Sequence, residues 1–361
     1  MKWSNLPLEQ FVDFYNGKSI KPSEKGNFPA FGSNGIIGYS ENYLYDKGII
    51  IGRVGANCGS VEISLNNFWP SDNTIVSKPK SNADLVFVYY LLKNYPLNSY
   101  AGGSAQPLLT QTVLKPIIFK IPELPAQRKI ASILSAYDDL IENNLKRIKL
   151  LEEKSFLRYK QIVREEKMAE FLIEEVCETL GGGTPATGDR RYWDEGEILW
   201  FSPTDLTKHH SIVLLDSEKK ITELGLQKSS AKLVPAKTIL MTSRASIGYF
   251  GLINKPASTN QGFINIIPFN DNHRAYMLFD LKNRKEEIIG NANGSTFLEI
   301  SKGKFRQMKI KLPKDEKVLI DFEQEFEVSF SFIENLLKQN TKLREARDIL
   351  LPKLMNGQIE V

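Results

Sequence analysis

The chain has few of the residues from which metal and redox sites are built. It contains two cysteines, Cys58 and Cys177, and three histidines in 361 residues. The cysteines form no Cys-x-x-Cys pair and have no histidine at zinc-ligand spacing, which argues against a disulfide and against a zinc site. The histidines, His209, His210 and His273, also lack metal-ligand spacing. We therefore expect two buried thiols, no bound metal, and a solvated loop around the adjacent histidines.

Long apolar runs and a strong charge of one sign are absent as well. No stretch approaches the roughly 20 apolar residues of a membrane span, and residues 1–17 lack the apolar core of a signal peptide. We therefore expect a cytoplasmic protein without a membrane partner. The formal net charge is only +4, whereas a protein that grips nucleic acid unaided usually carries a stronger basic excess. Either the surface charge is sorted locally or a partner subunit supplies much of it.

Motifs for catalysis are missing too. The segment Gly183-Thr-Pro-Ala-Thr-Gly188 imitates a phosphate-binding loop, but Asp189 stands where that loop requires lysine. Pro313-Lys-Asp-Glu-Lys317 is only loosely similar to an acidic nuclease signature, and it begins a long helical pattern. The sequence also lacks the Asn/Asp-Pro-Pro-aromatic tetrapeptide and the glycine-rich cofactor loop of adenine methyltransferases. These absences disfavour an enzyme that acts alone.

The absence of proline and glycine between Pro125 and Gly181 marks the most distinctive stretch. Within it, apolar residues recur at alternating intervals of three and four from Ile130 to Ile162, as the seam of a helix requires. The pattern predicts one long helix over Pro122–Arg164. At 1.5 Å per residue this rod is about 55 Å long, which exceeds the core of one domain and calls for a partner along its length.

The chain supplies that partner by duplication. Phe332-Ile-Glu-Asn-Leu-Leu-Lys338 matches Leu140-Ile-Glu-Asn-Asn-Leu-Lys146 at an offset of 192, so residues 313–354 are predicted to form a second long helix. Upstream of the helices, Leu172–Gly181 matches Leu8–Gly17 at an offset of 164. Ile239–Gly248 likewise matches the strand and loop around Arg53 at an offset of 191, with Asn260 opposite Asn73. The whole chain is a tandem repeat.

These patterns predict an α/β (α+β) fold with two globular domains of similar structure, separated by two long antiparallel coiled-coil helices in a pseudo-twofold arrangement. The expected boundaries are 1–121 for the first domain, 122–166 for the central helix, 167–312 for the second domain, and 313–361 for the C-terminal helix and return segment. Inside the first domain we expect a buried strand that runs into a tight loop over Gly48–Gly55, a helix at Asp84–Asn94 and a strand at Val113–Ile121. In the second we expect a helix over Ile221–Ser230.

We expect the two long helices to pack in an antiparallel register in which the numbers of facing residues sum to 484. In this register the apolar seam residues of one helix face apolar seam residues of the other. The predicted layers are Leu134 with Leu350, Ile141 with Leu343, Ile148 with Leu336, Leu151 with Ile333 and Ile162 with Phe322. The same register places Asn144 opposite Asn340, a buried amide pair of the kind that fixes helix register and orientation. It also places Arg347 beside Tyr137 and Arg158 beside Phe326, which favours cation-π contacts.

Polar loops recur at matching places in both halves, and each carries an arginine just after a buried strand. Arginine can bind guanine bidentately, asparagine and glutamine can bind adenine, and hydroxyl groups can bind phosphate. The candidate DNA-binding residues are Arg53, Asn57, Thr184, Arg190, Arg191, Tyr192, Ser243, Arg244, Ser246, Asn260, Gln261 and Ser295. For each arginine the alternative stays open that it caps a turn or pairs with an acid.

Four motifs, taken in order, carry a family likeness. They are Phe31-Gly-Ser-Asn-Gly-Ile-Ile-Gly-Tyr39, Ile121-Pro-Glu-Leu-Pro-Ala-Gln-Arg-Lys-Ile-Ala131, Leu180-Gly-Gly-Gly-Thr-Pro185 and Leu350-Leu-Pro-Lys-Leu-Met-Asn-Gly-Gln-Ile359. Together with the two-domain, two-helix repeat, they resemble the DNA-specificity subunit of type I restriction-modification systems over the whole chain. One departure is that the second helix starts with Pro313-Lys-Asp-Glu-Lys317 rather than with the Gln-Arg-Lys-Ile of the first.

The resemblance implies that each domain reads one half of a bipartite site in double-stranded DNA. It implies that the helices set the spacer and dock two methyltransferase subunits, and that a restriction subunit joins this core. The methyltransferase would move a methyl group from S-adenosylmethionine to adenine, so this chain would need no cofactor and would not itself be an enzyme. Domains 40 to 60 Å apart would place half-site centres roughly 12 to 18 base pairs apart. The alternatives are a stand-alone methyltransferase or restriction enzyme and a purely structural coiled-coil scaffold.

Overall fold

The computed structural model describes residues 2–103, 107–209, 211–294 and 298–361; His210 and Ser295 lie outside these ranges. The chain divides into two compact units, which consist of residues 1–142 with 341–361 and of residues 143–340. Among the described residues, no helix combines the length and the apolar character that a membrane span requires.

The first unit is built from short strands and two short helices, and it contains the start of the first long helix. Its strands are β1 (Trp3–Pro7), β2 (Val12–Asn16), β3 (Phe28–Gly32), β4 (Gly35–Ser40), β5 (Gly48–Gly52), β6 (Val61–Ser64), β7 (Trp69–Pro70), β8 (Thr74–Pro79) and β9 (Ile118–Pro122). Its helices are α1 (Leu85–Lys93), α2 (Gln111–Leu114), the first part of α3 (Leu124–Glu165) and the last part of the C-terminal helix, residues 341–355. The predicted strand at Val113–Ile121 is wrong in its first half, because Thr110 caps the short helix α2 there.

Two sheets of the first unit contain three or more strands. Strands β2, β8, β5 and β6 form an antiparallel sheet in that order, and β3 is flanked by β4 and β7 in a second sheet. Strand β5 is buried along its whole length, as its apolar run predicts. Helix α1 begins where the Asp84 carboxylate accepts hydrogen bonds from the backbone N–H groups of Val86 and Phe87, both at 3.0 Å. The strand predicted to begin at Gly48 and to run into a loop is thus confirmed, as is the helix predicted over Asp84–Asn94.

The second unit repeats this plan with extra elements. Its strands are β10 (Met168–Leu172), β11 (Cys177–Gly181), β12 (Ile198–Phe201), β13 (Val213–Leu214), β14 (Lys219–Ile221), β15 (Ile239–Thr242), β16 (Phe250–Ile253), β17 (Ser258–Thr259), β18 (Phe263–Pro268) and β19 (Lys309–Pro313). Its helices are the second part of α3, α4 (Ile173–Val176), α5 (Pro203–Lys208), α6 (Glu223–Gln227), α7 (Arg274–Asn283), α8 (Lys285–Gly290), α9 (Lys302–Arg306) and most of α10 (Glu316–Met355). Helix α6 is shorter than the helix predicted over Ile221–Ser230.

Backbone pairing shows that the two units share one framework. Strand β1 pairs with β9 so that Trp3 faces Pro122, and β10 pairs with β19 so that Met168 faces Pro313. Leu8 N–H donates to Ile117 O, whereas Ile173 N–H, one residue after Leu172, donates to Met308 O. The structural offset is therefore 165 in this stretch, and the alignment at an offset of 164 is wrong by one residue. A one-residue shift matters because it exchanges the buried and exposed faces of a strand.

Helices α3 and α10 run antiparallel within the second unit. Asn144 Nδ2 donates to Asn340 Oδ1 over 2.9 Å, and Arg158 Nε lies 3.5 Å from Glu325 Oε2. From Asn144 to Arg158 the residue number in α3 rises by 14, while from Asn340 to Glu325 the number in α10 falls by 15. The two helices therefore run in opposite directions. The apolar seam positions of this unit, from Ile148 to Phe322, belong to one buried cluster.

The two cation-π contacts expected along the helices are replaced by ion pairs in the described part of the chain. Within the first unit, Arg347 Nη1 lies 2.5 Å from Asp138 Oδ1, and the Asp138 carboxylate also accepts a 2.5 Å hydrogen bond from Tyr90 OH. Within the second unit, Arg158 pairs with Glu325 and Phe326 packs on Phe279. A carboxylate is the stronger partner for a guanidinium group when one is within reach.

The buried amide pair gives a direct test of what holds the helices in register. Asn340 is fully buried and Asn144 is 6% exposed. Replacing Asn144 with alanine therefore removes the donor to Asn340 Oδ1 at a position that water cannot easily reach. We expect Asn144→Ala to lower the free energy of unfolding by about 1 to 3 kcal/mol in chemical denaturation. Asn143→Ala is the matched control, because Asn143 is exposed. Equal effects of the two substitutions would contradict a stabilising role for the pair.

Candidate nucleic-acid interface

In the first unit, several loops meet where β3 and β5 end and β8 begins. Arg53, directly after β5, donates its N–H to Asn73 O over 3.0 Å, and Arg53 O accepts Leu109 N–H at 2.8 Å. Gly55 N–H donates to Pro107 O over 3.1 Å. These bonds hold the loop after β5 between the loop before β8 and the segment that follows residue 106.

The Arg53 side chain has one buried donor without a hydrogen-bond partner in the described part of the chain. It is half-buried, and its Nε is buried with no hydrogen-bond partner among the described residues. A buried charged donor without an acceptor is energetically costly unless a ligand satisfies it. Asn57, four residues on, is exposed on the same loop. An acceptor outside the described residues would satisfy this Nε–H group.

In the second unit, the structure brings four of the candidate residues together. Thr184 Oγ1 donates to Gln261 Oε1, and the preceding Gly183 N–H donates to Thr259 O over 2.8 Å. Asn260 Oδ1 accepts Gly262 N–H at 2.8 Å, while Gly262 O accepts Ser243 N–H at 2.8 Å. Thr184, Gln261, Asn260 and Ser243 therefore lie on adjoining loops.

Arg244 and Ser246 extend this surface on the loop after β15. Both are exposed, and the intervening Ala245 has a left-handed backbone with φ of 60°. Arg244 Nε lies 3.8 Å from Glu299 Oε2, and the two residues also form a backbone bridge. Ser295 lies outside the described residues.

Arg190, Arg191 and Tyr192 form a turn of 3-10 helix next to these loops. Arg191 donates to Asp189 through Nε at 2.9 Å and Nη2 at 2.6 Å, which lowers the pKa of the Asp189 carboxyl. Arg190 Nε lies 3.6 Å from Asp194. Together with Arg244, these are exposed arginines paired with carboxylates, of which Asp194 and Glu299 are exposed and Asp189 is half-buried. Such surface pairs are weak enough for phosphate or a base edge to replace the acid.

Two tryptophans attach the arginine turn to the rest of the surface. Trp200 of β12 donates from Nε1 to Gly183 O over 2.9 Å, and Trp193 donates from Nε1 to Ala186 O over 3.1 Å. Their rings meet edge to face with centroids 5.1 Å apart. The segment from Thr184 to Trp193 is thus held against the core of the second unit by indole hydrogen bonds and ring packing.

The hydrogen bonds correct how the two units correspond at this surface. Arg53 N–H donates to Asn73 O and Ser243 N–H donates to Gly262 O, so Ser243 is the counterpart of Arg53 at an offset of 190. Arg244 takes the place of Val54, since Val54 bridges Leu108 and Arg244 bridges Glu299. The offset of 191 at the arginines is therefore wrong by one residue.

Asn260 is also displaced from its expected counterpart. Ser71 N–H donates to Phe31 O over 2.8 Å, and Asn260 N–H donates to Phe201 O over 2.9 Å. Asn260 therefore corresponds to Ser71, and its pairing with Asn73 is wrong. The two units present the same loops with different side chains at each position.

Sequence reasoning missed two residues of the first unit that belong to this surface. Lys18 corresponds to Gly183, since its N–H donates to Pro70 O at 2.9 Å as that of Gly183 does to Thr259 O. Ser33 donates from Oγ to Asn73 O over 2.7 Å. An alignment that included the glycine-rich stretch before each loop would have placed Lys18, but nothing in the local sequence indicates the contact of Ser33.

Metal and thiol chemistry find no support in the described part of the chain. No cluster of three or more histidine, cysteine or acidic residues there could hold a metal ion. Cys58 and Cys177 are free and buried, as predicted. Burial raises the pKa of Cys177 to about 12, so this thiol is protonated and unreactive at neutral pH.

A family model described as "Type I restriction modification DNA specificity domain" matches residues 1–153 and 165–349. The chain belongs to this family. It is 34% identical over 175 residues to the type I restriction enzyme MjaIX specificity subunit of Methanocaldococcus jannaschii, an alignment that covers 48% of this chain and 39% of that protein. It is 26% identical over 278 residues to the EcoR124I/EcoR124II specificity subunit of Escherichia coli, covering 72% of this chain and 68% of that one.

A solved structure shows the same fold as this member of the DNA specificity domain family. The crystal structure of a type I restriction-modification system S subunit from M. genitalium matches with a TM-score of 0.65 over 98% of this chain and 96% of its own. Sequence identity between them is 17%. The expected fold class, with two similar α/β domains and two long helices, is confirmed.

Proposed function

We propose that this chain is the DNA-specificity subunit of a type I restriction-modification complex and that each unit reads one half of a bipartite DNA site. The observation that carries this proposal is the duplicated loop framework. Loops held by equivalent backbone bonds carry Arg53 and Asn57 in one unit and Thr184, Arg244 and Gln261 in the other, whereas the Ser243 side chain is buried. The two units thus present equivalent loops on the same backbone framework but with different side chains. Such a pair of surfaces suits a ligand with two different halves.

In this assignment, residues 1–121 and 167–312 are the recognition domains, and residues 122–166 and 313–361 are the spacer helices. The subunit binds double-stranded DNA in the cytoplasm, docks two methyltransferase subunits and a restriction subunit, and performs no chemistry itself. Partner subunits would supply much of the phosphate contact, which accounts for a net charge of only +4.

Co-expression with its methyltransferase subunits, followed by sequencing of methylated adenines, tests this function. We expect methylation at two short motifs separated by a fixed spacer of unspecified bases, and no methylation by the purified chain alone. A single continuous motif would contradict reading by two domains. Methyl transfer or DNA cleavage by the isolated chain would favour the stand-alone enzyme instead, and DNA binding without sequence preference would favour a structural scaffold.

Substitutions of Arg53 and Arg244 test which unit reads which half-site. We expect Arg53→Ala and Arg244→Ala each to relax base preference in one half-site, at about 1 to 3 kcal/mol of discrimination against the wrong base. The measurement is methylation by the assembled complex of a DNA library with randomised half-sites. Each variant is the control for the other, because they lie in different units. Loss of preference in both half-sites from one substitution would contradict the assignment.

A further inference from the structure

The hairpin formed by β3 and β4 in the first unit has an unusual apolar tip. Ser33 and Asn34 connect the strands, and Gly35 adopts the left-handed conformation with φ of 83°. The register shifts between Ala30 and Phe31, so that Phe31 faces Ile36 while Ala30 faces Gly38, leaving Ile37 as the extra residue of a bulge.

The bulge explains why two consecutive isoleucines face solvent. In a regular strand neighbouring side chains point to opposite faces, but a bulge breaks this alternation. Ile36 is 57% exposed and Ile37 is 43% exposed. Ile37 lies over Gly32, where any Cβ would come within 2.8 Å of Ile37 Cγ2. The absence of a side chain at Gly32 thus makes room for Ile37 at the tip.

The tip is fixed directly beside the loop that carries Arg53. Ser33 Oγ donates to Asn73 O over 2.7 Å, and Asn73 O also accepts the Arg53 N–H at 3.0 Å. Ser60 Oγ donates to Ser33 O over 2.7 Å on the other side. The hairpin therefore continues the candidate interface of this unit and presents the exposed side chains of Asn34, Ile36 and Ile37 at its end.

We propose that the tip of the β3–β4 hairpin enters a groove of the DNA half-site read by the first unit, with Ile36 and Ile37 against thymine methyl groups and Asn34 at an adenine edge. The inference rests on the proposed function and extends it to residues outside the arginine loops. A two-stranded ribbon fits the major groove, where apolar side chains contact the thymine methyl group and asparagine binds adenine bidentately. The residues exposed at the tip have the chemistry for both contacts.

The second unit presents a different element at the corresponding place. Phe201, the counterpart of Phe31, is followed by helix α5 (Pro203–Lys208) instead of a hairpin. Pro203 Cγ lies 3.3 Å from the position a Cβ would take on Gly262, and Gly262 is the counterpart of Asn73. The contact from the hairpin is therefore specific to the first unit, and its loss should affect one half-site only.

The test uses the full chain assembled with its methyltransferase subunits and a library of randomised half-sites. The test variants are the double substitution Ile36→Ser with Ile37→Ser, and Asn34→Ala. Leu65→Ser is the matched control, because Leu65 is 61% exposed. It follows Ser64, which pairs with Gly48 at the other end of β5 from Arg53. All altered side chains are exposed, and thermal unfolding of each complex verifies that folding is unchanged.

We expect the isoleucine double variant to lose about 4- to 15-fold in selectivity for thymine positions of one half-site, the loss that follows from one or two buried methyl contacts. Asn34→Ala should relax an adenine position in that same half-site, and Leu65→Ser should leave both half-sites unchanged. If the hairpin variants behave like Leu65→Ser while Arg53→Ala still relaxes this half-site, the hairpin inference is wrong and the proposed function stands. Equal loss in both half-sites would also overturn it. A wild-type complex without a bipartite motif would reject the proposed function itself.

Discussion

Replacing Arg274 with methionine is expected to destabilise the second unit by about 3 to 5 kcal/mol. Arg274 begins α7 and is 4% exposed, and its Nη2 contacts Glu323 and, at 2.5 Å, Glu327 of α10. Glu323 Oε2 also accepts the Ala275 N–H at 2.7 Å. Without the guanidinium group, the Glu323 carboxylate would remain buried without its cation, while Glu327 would keep Lys237 at 2.8 Å.

The pH dependence of this deficit identifies its cause. Burial already raises the pKa of Glu323, and Arg274 opposes part of that rise. In Arg274→Met the pKa of Glu323 in the folded state should rise further above its pKa in the unfolded state. At pH values between these two pKa values, the folded state then binds more protons than the unfolded state. Stability then falls as pH rises through that interval and recovers in acid. The deficit should therefore be smaller at pH 5 than at pH 8 in chemical denaturation of the full chain.

A paired substitution provides the control for Arg274. Glu323→Gln keeps an acceptor for the Ala275 N–H but removes the buried charge. Arg274→Met combined with Glu323→Gln should therefore regain most of the lost stability and lose the pH dependence. A double variant as unstable as Arg274→Met alone would show that packing of the arginine side chain, and not the buried charge, sets the effect.

Trp200→Ala is expected to lower the free energy of unfolding of the second unit by about 3 to 5 kcal/mol, because it removes a large buried ring. Trp200 is 6% exposed and belongs to a small cluster with Ile221 and Ala231. It also bonds Gly183 and packs on Trp193, so the segment from Thr184 to Trp193 should lose its attachment. Hydrogen exchange in the full chain should show faster exchange in this segment.

Two controls separate ring packing from the indole hydrogen bond. Trp200→Phe keeps most of the ring but loses the donor to Gly183 O, so it should cost about 1 to 3 kcal/mol. Trp193→Ala should release the arginine turn with a smaller loss of global stability, because Trp193 is only half-buried. Unchanged exchange around Arg190 and Arg191 in Trp200→Ala would contradict the attachment.

The long helices and the duplication could be predicted because both leave long-range regularities in the sequence. The apolar seam of helix α3 extends over many turns. The register that aligns the seams of α3 and α10 places Asn144 opposite Asn340, and these two side chains are hydrogen-bonded in the structure. Many weak signals of the same period add up to a firm prediction. The short helix α2 was missed because four residues contain no period.

The equivalence of the candidate DNA-binding loops could not be predicted from residue similarity. Arg53 and Arg244 look alike in sequence, yet backbone hydrogen bonds make Ser243 the counterpart of Arg53. A single-residue gap inside a loop costs nothing in a similarity comparison, whereas strand register is fixed by hydrogen bonds to neighbours far away in the chain. The pairing of Arg244 with Glu299 depends on the same tertiary arrangement, so local sequence could not indicate it.

The carbonyl groups of Phe31 and Phe201 each accept one backbone bond from the equivalent loop, although a hairpin follows the first and a helix follows the second. The chain thus separates the problem of folding from the problem of recognition. Sequence between fixed attachment points can be exchanged, lengthened or given another secondary structure while the sheets keep their register. New DNA targets could then arise by replacement of a loop segment in one unit, while the packing of both cores stays unchanged.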